Sequence, residues 1–312
     1  MRTFELTYPH SLILEELPET VSAIGFFDGI HKGHQKVIRT AVAHAKEKGM
    51  ESAVITFHPH PSVVLKKDTK HVQYITPLKE KVELLQNMDV DRLYIITFNK
   101  QLSQLSPQEF IDHFIIGLNI KCLVAGFDYT FGFKGSGNMN NISQYTRGEL
   151  SVITIDKVVM DEEKVSSTRI RKLLAEGKVD EVNELLGRPF RLNGVVVHGD
   201  HRGKKLGFPT ANLELDGDTL LPKPGIYAVK VNYKNELYEG MASIGKNPTF
   251  TEDRKDLSVE VNILDYNNDL YGEELSIELY KYIREEIKFN SAEELIEQMK
   301  TDEKNIRKYF AQ

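Results

Sequence analysis

The stretch Gly25-Phe-Phe-Asp-Gly-Ile-His-Lys-Gly-His-Gln35 decides the fold of the first half of this chain. An apolar run, Val21 to Phe27, leads into it, and apolar residues at helical spacing follow it until Gly49. Another short apolar run, Ser52 to Phe57, predicts a further strand. The order of strand, glycine-bearing turn, helix and strand predicts a βαβ unit.

Two histidines, His31 and His34, lie at the predicted start of this helix. A helix N-terminus has unsatisfied N–H groups and a partial positive charge, which suit a phosphate group. Gly29 and Gly33 would let a polyphosphate approach the backbone closely. Because histidines at this spacing share one helix face, both could contact the same phosphate. Nucleotidyl transfer needs such positioning, with donors for the charge that builds on the α-phosphate.

The same histidine pair has two simpler explanations. His31 and His34 could cap an ordinary helix, or they could be metal ligands. Structural zinc is disfavoured because the only cysteine, Cys122, lies far away in an apolar run. The βαβ context favours the phosphate-binding interpretation.

This segment resembles two nested family signatures. His31-Lys-Gly-His34 is similar to the H-x-G-H signature of the nucleotidylyltransferase superfamily. The longer stretch resembles the adenylyltransferase half of the bacterial bifunctional riboflavin kinase/FAD synthetase family. The resemblance implies that His31 and His34 are catalytic. It also implies that neighbouring residues bind the nucleotide, namely Gly25, Phe27, Asp28 and Gly33.

A second helix start, Ser166-Ser-Thr-Arg-Ile-Arg171, precedes a helical pattern that ends at Gly177. A hydroxyl N-cap with exposed arginines would explain it without a ligand. However, Arg169 and Arg171 lie in the first turn, where a cation opposes the helix dipole and a bound anion would remove the conflict. The segment resembles the S-S-T-x-I-R signature of flavin adenylyltransferases. That resemblance implies nucleotide contacts from Ser166, Ser167, Thr168, Arg169 and Arg171.

A glycine- and aromatic-rich segment, Gly126 to Asn138, follows a predicted strand. Its aromatic rings could stack on an isoalloxazine or adenine ring, or could pack inward in a flexible hairpin. It resembles the family's G-x-D-F-x-F-G segment, with Tyr129 in place of a phenylalanine. The resemblance implies flavin contacts from Phe127 and Tyr129, and a polar contact from Asp128 to ligand or metal.

A proline-flanked histidine, His60, lies just after the predicted strand that ends at Phe57. The sequence Phe57-His-Pro-His-Pro61 matches the family's P-H-P element, which implies that His60 helps to shape the flavin pocket. A turn fixed by the prolines would explain the same residues without a ligand.

The pattern of elements divides the chain in two near residue 186. Before it, strands at 52–57, 92–97 and 121–125 alternate with helical patterns at 78–88 and 107–115, which predicts a Rossmann-like α/β domain with a parallel sheet. After it, consecutive strands predict an antiparallel β-barrel or sandwich, closed by a helix from Ser291. These strands are predicted at 194–198, 225–233, 237–244, 257–264 and 274–282.

The second half has its own phosphate-binding candidate, Gly199 to Leu213. It differs from a P-loop in glycine spacing, and a charged surface loop is the simpler explanation. Within it, Pro209-Thr-Ala-Asn212 resembles the P-T-A-N signature of riboflavin kinases, which implies that Thr210 and Asn212 hold Mg²⁺ against ATP phosphates. Oxygen ligands suit Mg²⁺. The basic loop before it would bind the nucleotide through Gly203, Lys204 and Lys205.

A candidate general base, Glu260, lies in Ser258-Val-Glu-Val-Asn-Ile-Leu-Asp265. The family has a catalytic glutamate in this context, whereas a lone glutamate on a strand usually faces solvent. Strand alternation places Val259, Val261 and Ile263 on the face opposite Glu260. The later segment Gly245-Lys-Asn-Pro-Thr-Phe250 resembles a further family element, which implies a flavin contact from Asn247.

Bulk properties agree with an enzyme of small molecules. The chain has 312 residues, a net charge of −6 and a sequence pI of about 6.0, which argues against a general nucleic-acid binder. One cysteine fits a reducing cytoplasm. The beginning of the chain has no signal-peptide pattern, and no apolar run is long enough for a membrane span.

The combined motifs predict a bifunctional enzyme of flavin biosynthesis. Residues 186–312 would phosphorylate riboflavin to FMN with ATP, releasing ADP, and residues 1–185 would adenylylate FMN to FAD, releasing pyrophosphate. Both steps should use ATP and Mg²⁺. Two alternatives stay open, namely a nucleotidyltransferase for another small phosphate substrate and a non-catalytic flavin-binding regulator. Oligomeric state is not determined by the sequence.

Overall fold

The computed structural model describes residues 1–65, 71–198, 207–215, 218–246, 257–266 and 268–311. The chain forms two compact units, Met1–Ser167 and Thr168–Gln312. The predicted division of activities near residue 186 falls inside the second unit and stays a prediction.

The first unit is built on a parallel sheet with the strand order β1-β4-β3-β2-β5-β8. Every neighbouring pair in this sheet is parallel, as the alternation of strands and helices predicts. The described strands of this unit are β1 (Arg2–Leu6), β2 (Thr20–Ile24), β3 (Glu51–His58), β4 (Arg92–Thr97), β5 (Ile120–Gly126), β6 (Thr130–Phe131), β7 (Gly137–Asn138), β8 (Ser151–Ile155), β9 (Val159–Met160) and β10 (Glu163–Lys164).

Two apolar layers cover the sheet, one on each face. Along β3, Ile55 packs into one layer and the preceding Val54 packs into the other. The alternation follows from the two-residue period of a strand. Burial on both faces agrees with the nearly continuous burial along the central strands β2 and β3.

The helices of the first unit connect these strands. They are α1 (Lys32–Lys48), α2 (Pro61–Leu65), α3 (Leu78–Gln86), α4 (Lys100–Ser103) and α5 (Pro107–Ile111). Helix α1 ends at Gly49, whose φ of 65° is left-handed and suits glycine. Helix α5 begins with a capping box between Ser106 and Glu109 and continues as a π-helical turn through Ile116.

The second unit is a closed antiparallel barrel with the order β11-β12-β15-β14-β13-β16. Its described strands are β11 (Phe190–Val197), β12 (Ala211–Leu215), β13 (Gly225–Tyr233), β14 (Glu236–Lys246), β15 (Leu257–Ile263) and β16 (Glu274–Arg284). Its described helices are α6 (Ser167–Glu176), whose first residue is counted with the first unit, α7 (Val179–Leu186) and α8 (Ala292–Phe310). The barrel and its terminal helix confirm the predicted fold class.

A buried ion pair fixes α8 to the barrel. Asp302, only 1% exposed, accepts hydrogen bonds from Arg284 Nε and Nη2, with an Nη2–Oδ2 distance of 2.7 Å. Ile306 on the same helix packs against Ile226 and Met241 of the barrel. A charge pair beside an apolar contact determines the register of the helix on the barrel.

Candidate functional sites

A tight turn at the carboxyl end of β2 carries the histidine motif. Phe27, Gly29 and Ile30 all have positive φ angles, of 53°, 92° and 39°. A side chain at Gly25 would place its Cβ 2.8 Å from the buried ring of Phe27. The turn therefore requires glycine at position 25 and holds a non-glycine residue, Phe27, in the left-handed region.

His31 and His34 face each other at the start of α1. His31 is the N-cap residue, and its Nδ1 accepts a hydrogen bond from the His34 backbone N–H at 3.3 Å. The two imidazole rings stack with centroids 3.6 Å apart and planes 19° from parallel. Because Nδ1 of His31 accepts, the proton of the neutral His31 ring is on Nε2.

The surroundings of His34 favour its neutral form. Burial of the ring, then the charges of His31, Lys81 and Lys164, lowers its pKa well below the usual value of 6.5. The ring lies edge-on to Phe27 with centroids 5.3 Å apart. Its Nδ1 is buried and makes no hydrogen bond within the described part of the chain. At neutral pH the His34 ring is uncharged and can donate from one nitrogen only.

The Ser166–Arg171 motif contacts the histidine motif, Gly25–Gln35, at Asp28. The Ser167 hydroxyl donates a hydrogen bond to the Asp28 backbone carbonyl at 2.8 Å. The Asp28 carboxylate is buried and accepts from the Thr76 backbone N–H at 3.2 Å. At Gly33, a Cβ would lie 3.7 Å from the Val165 carbonyl oxygen. The structure thus brings together two motifs that are 139 residues apart in the chain.

The remaining members of the Ser166–Arg171 motif lie at the start of α6. Ser166 is partly exposed and precedes α6, whereas Thr168, Arg169 and Arg171 lie in the first turns of α6 within the second compact unit. Both arginines are half-buried. Their expected phosphate contacts stay a prediction.

The predicted flavin loop separates into an exposed and a packed part. Phe127 is 43% exposed, and the Lys164 ammonium lies 4.7 Å from the centre of its ring. Asp128 is ion-paired with the same lysine. Tyr129 instead packs parallel to the ring of Phe131, and burial raises the pKa of its hydroxyl. Phe127 thus has an exposed ring and Tyr129 is packed against Phe131, and the expected flavin contacts of both residues stay predictions.

His60 lies beside the same turn. Its ring is edge-on to Phe26 with centroids 4.5 Å apart. Its Nδ1 accepts a hydrogen bond from the Ser62 backbone N–H at 3.1 Å, and its own backbone N–H donates to the Tyr74 hydroxyl at 3.0 Å. These contacts hold the His60 imidazole against Phe26 of the turn after β2, and its expected role in the flavin pocket stays a prediction.

Sequence reasoning missed one buried cation at this site, Lys81 of α3. It is 3% exposed, and its Nζ donates to the Phe26 carbonyl at 2.7 Å. A signal was present in the sequence, because Lys81 follows Leu78 by three residues and precedes Leu85 by four, on the apolar face of α3.

In the second unit, strand register aligns the kinase candidates. Asn212 on β12 is directly opposite Glu260 on β15, which in turn is opposite Ser243 on β14. Opposite residues of antiparallel strands share a face, so these three side chains lie in one row. Val259 and Val261 are buried on the other face, which confirms the predicted alternation.

Thr210 lies just before β12, at a cavity of about 210 Å³. Asn262 Nδ2 donates to the Pro209 carbonyl at 2.7 Å and so fixes the backbone of the P-T-A-N segment to β15. The cavity lies between this segment, β15 and the chain after it. It is lined by Val196, Pro209, Thr210, Ala211, Val261, Ile263, Tyr266, Asn268, Asp269, Leu270 and Tyr271.

The Thr210 hydroxyl and the Asn212 amide offer oxygen ligands of the kind that Mg²⁺ takes when it is held with a nucleotide. Thr210 lines the cavity, whereas Asn212 and Glu260 do not line it and lie opposite each other on β12 and β15. Among the described residues, no cluster of three or more His, Cys, Asp or Glu could hold a metal alone. Phosphate oxygens would therefore have to complete the shell, as Mg²⁺ sites commonly require. Gly203, Lys204, Lys205 and Asn247 lie outside the described residues.

Two other acids near the barrel are engaged in ion pairs. Asp265 accepts two hydrogen bonds from Arg307, each of 2.8 Å. Glu278 is buried and accepts from Arg191 at 3.1 Å and from the Tyr280 hydroxyl at 3.0 Å. Both carboxylates therefore have structural partners within the second unit.

Comparison with known proteins gives the class of each half. Residues 13–169 match the FAD synthetase family model, and residues 186–310 match the riboflavin kinase model. The fold and the sites therefore define an enzyme that joins flavin adenylylation and flavin phosphorylation in one chain. Within the part of the chain that the structure describes, no helix is both long and apolar enough to cross a bilayer.

Relatives define the particular family. The chain is 48% identical over 291 residues to the bifunctional riboflavin kinase/FMN adenylyltransferase of Listeria monocytogenes, covering 93% of this chain and 92% of that protein. It is 45% identical to the protein of the same description from Bacillus subtilis, covering 100% of this chain and 99% of that protein. The chain belongs to the bifunctional riboflavin kinase/FMN adenylyltransferase family. It is an enzyme with both activities.

A solved structure shares the whole fold. It comes from Streptococcus pneumoniae and is described as a macrolide-efflux protein; it superposes with a TM-score of 0.88 at 36% identity, covering 97% of this chain and 98% of that one. We do not assign macrolide efflux to this chain, because both of its halves match flavin-enzyme families.

Proposed function

We propose that the two reactions use separate residues of this chain, with His31 and His34 serving adenylylation and Thr210, Asn212 and Glu260 serving phosphorylation. The observation that carries the first assignment is the stacked imidazole pair at the N-terminus of α1. The observation that carries the second is the direct pairing of Asn212 with Glu260.

In adenylylation, a phosphate oxygen of FMN attacks the α-phosphorus of ATP. The new P–O bond forms as the bond to the bridging oxygen of pyrophosphate breaks. The helix N-terminus and the N–H groups of His31 and His34 stabilise the negative charge that develops on the α-phosphate. Ser166, Ser167, Thr168, Arg169 and Arg171 would hold the other phosphates, and Phe127, Asp128, Tyr129 and His60 would shape the flavin side.

In phosphorylation, the 5′-hydroxyl oxygen of riboflavin attacks the γ-phosphorus of ATP, and ADP leaves. Glu260 accepts the hydroxyl proton as the new bond forms. Thr210 and Asn212 would hold Mg²⁺, which supplies charge neutralisation at the phosphates when bound. Gly203, Lys204 and Lys205 would add contacts to the triphosphate, and Asn247 a contact to the flavin.

A product assay with two variants tests the assignment. The protein is incubated with riboflavin, ATP and Mg²⁺, and riboflavin, FMN and FAD are separated by chromatography. His31→Ala should reduce FAD formation from supplied FMN by about 10²–10³-fold, as loss of one transition-state donor does, and should leave FMN formation unchanged. Normal FAD synthesis by a His31→Ala, His34→Ala double variant would contradict the adenylylation site. A wild-type protein that forms no product would favour a flavin-binding regulator.

A cytoplasmic location is part of the proposal. It is supported by the cysteine content, because the one cysteine, Cys122, is buried and the chain therefore has no internal disulfide. Fractionation of cells with antibody detection tests it, and recovery with the membrane or secreted fraction would contradict it.

A further inference from the structure

The buried Lys81 is a feature that neither reaction assignment uses. Its Nζ donates to the Phe26 carbonyl at 2.7 Å and to the Thr56 hydroxyl at 3.3 Å, and lies 4.7 Å from the centre of the Phe26 ring. Both hydrogen-bond acceptors are uncharged oxygens. Lysine is almost never fully buried unless it is paired with an acid, because an ammonium loses favourable hydration.

An apolar residue would suit this position better for packing alone. Lys81 lies between Leu78 and Leu85 on the face of α3 that packs against the sheet. A leucine or methionine there would extend the apolar face without removing a charge from water. The presence of an ammonium therefore calls for a role beyond packing.

Lys81 is joined to the catalytic candidates by a short series of contacts. The Phe26 carbonyl accepts from Lys81 and also from the Thr56 hydroxyl at 3.0 Å, which fastens the turn after β2 to β3. The next residue, Phe27, has the positive φ of 53°, and its ring lies edge-on to His34. Displacement of the Phe26 carbonyl would therefore move the ring that supports His34.

The charge of Lys81 also acts on His34. The titratable and charged groups that act on this imidazole are His31 at the N-cap of α1, Lys81 on α3 and Lys164 on β10, and Asp28 in the turn acts on Lys81. His31, Lys81 and Lys164 each lower the pKa of His34, after the larger effect of burial. A neutral imidazole remains a directed N–H donor, while the ammonium supplies positive potential for an incoming phosphate.

We propose that Lys81 is a positioning residue of the adenylyl-transfer site, whose buried ammonium holds the Phe26–Phe27 turn and sets a positive charge beside the paired imidazoles. The inference rests on the proposed function of the first unit and adds the group that controls its histidines. Lys81 contacts no substrate in this scheme and acts through Phe26 and His34.

Three variants separate the two parts of this role, which are the hydrogen bonds that hold the Phe26–Phe27 turn and the positive charge beside the imidazoles. Lys81→Met removes charge and hydrogen bonds, Lys81→Gln removes the charge but keeps a donor, and Lys81→Arg keeps the charge. Lys79→Met is the matched control, because Lys79 is an exposed lysine two residues earlier in the same helix. Each is made in the full chain, and riboflavin phosphorylation in the same preparation reports the integrity of the second unit.

The first measurement is the kinetics of FAD formation from FMN and ATP between pH 5.5 and 9. Lys81→Met should lower kcat by about 10–100-fold, the range for groups that orient a functional side chain, with a smaller change in KM. The acid limb of the pH profile should move to higher pH in Lys81→Met and Lys81→Gln, and should stay in place in Lys81→Arg and Lys79→Met. A merely structural role would lower activity without moving this limb.

The second measurement is the NMR titration of the His34 ring in the protein without nucleotide, assigned by its loss in His34→Gln. Its midpoint should rise in Lys81→Met and Lys81→Gln and remain low in the other two variants. An unmoved His34 midpoint in Lys81→Gln overturns the inference, even if His34→Gln abolishes FAD formation. If His34→Gln makes FAD normally, the proposed function fails instead, whatever the titration shows. Should Lys81→Met not fold, Lys81→Gln decides both measurements.

Discussion

Replacing Lys81 by methionine should change the way in which the stability of the first unit depends on pH. Burial lowers the pKa of the Lys81 ammonium from 10.5 to about 8, although the Asp28 carboxylate acts in the opposite direction. Below pH 8 the folded and unfolded chains both hold this proton, so it adds no pH dependence. Between pH 8 and 10.5 only the unfolded chain still holds it, so rising pH favours folding.

The size of this pH-dependent stabilisation follows from the interval between the pKa values of Lys81 in the folded and unfolded chains. Each pH unit corresponds to about 1.4 kcal/mol, so the window from about 8 to 10.5 corresponds to about 3 kcal/mol. The free energy of unfolding of the wild type should therefore rise by about 3 kcal/mol relative to Lys81→Met between pH 7.5 and 10.5. The other titratable groups are present in both proteins, so their contributions cancel in the difference.

Cys122 allows the free energy of unfolding of the first unit to be measured within the whole chain. It is the only cysteine, and it is 1% exposed in the inner strand β5, so it reacts with a thiol reagent only when this unit opens. Short alkylation pulses across a urea series, calibrated on fully unfolded protein at each pH, give the free energy of unfolding. Lys79→Met should follow the wild type. If the difference in the free energy of unfolding between wild type and Lys81→Met does not change from about pH 7.5 to about 10.5, the reasoning is refuted.

Three further outcomes are expected. Glu260→Gln should reduce FMN formation by about 10²–10⁴-fold with FAD formation from supplied FMN unchanged, whereas the control Glu214→Gln, an exposed acid on β12, should retain both activities in the product assay. Asp302→Ala should destabilise the second unit by about 3–5 kcal/mol in urea unfolding, because it leaves Arg284 without its buried partner. A fragment of residues 168–312 should melt at a higher temperature than residues 186–312, because the shorter one loses the hydrogen bond from Asn183 to the Leu279 carbonyl; equal melting temperatures in calorimetry would contradict this.

Local patterns predicted the elements that carry the candidate sites. The apolar run before Gly25 and the helical spacing after His31 are properties of neighbouring residues. They therefore predicted β2, the turn and α1 without knowledge of the tertiary contacts of these elements. The edge strands β1 and β8 were not predicted. Both are short and lie at the ends of the sheet, and exposed residues interrupt their apolar pattern. Strand β12 was missed because it follows directly on the P-T-A-N segment and carries polar residues.

Only the tertiary structure decided which side chains meet. Asn212 is opposite Glu260 because the register of β12 on β15 places it there, and a shift by one residue would turn one side chain to the opposite face. Ser167 donates to the Asp28 carbonyl although the two residues are 139 positions apart in the chain. The periodicity of helices and strands relates only nearby residues, so it could not predict this contact. The sequence by itself determined the two fold classes, the helix start with its two histidines and the family signatures. The burial of Lys81 beneath Phe26 depended on the packing of α3 on the sheet, because helical spacing defines a face but not what that face covers.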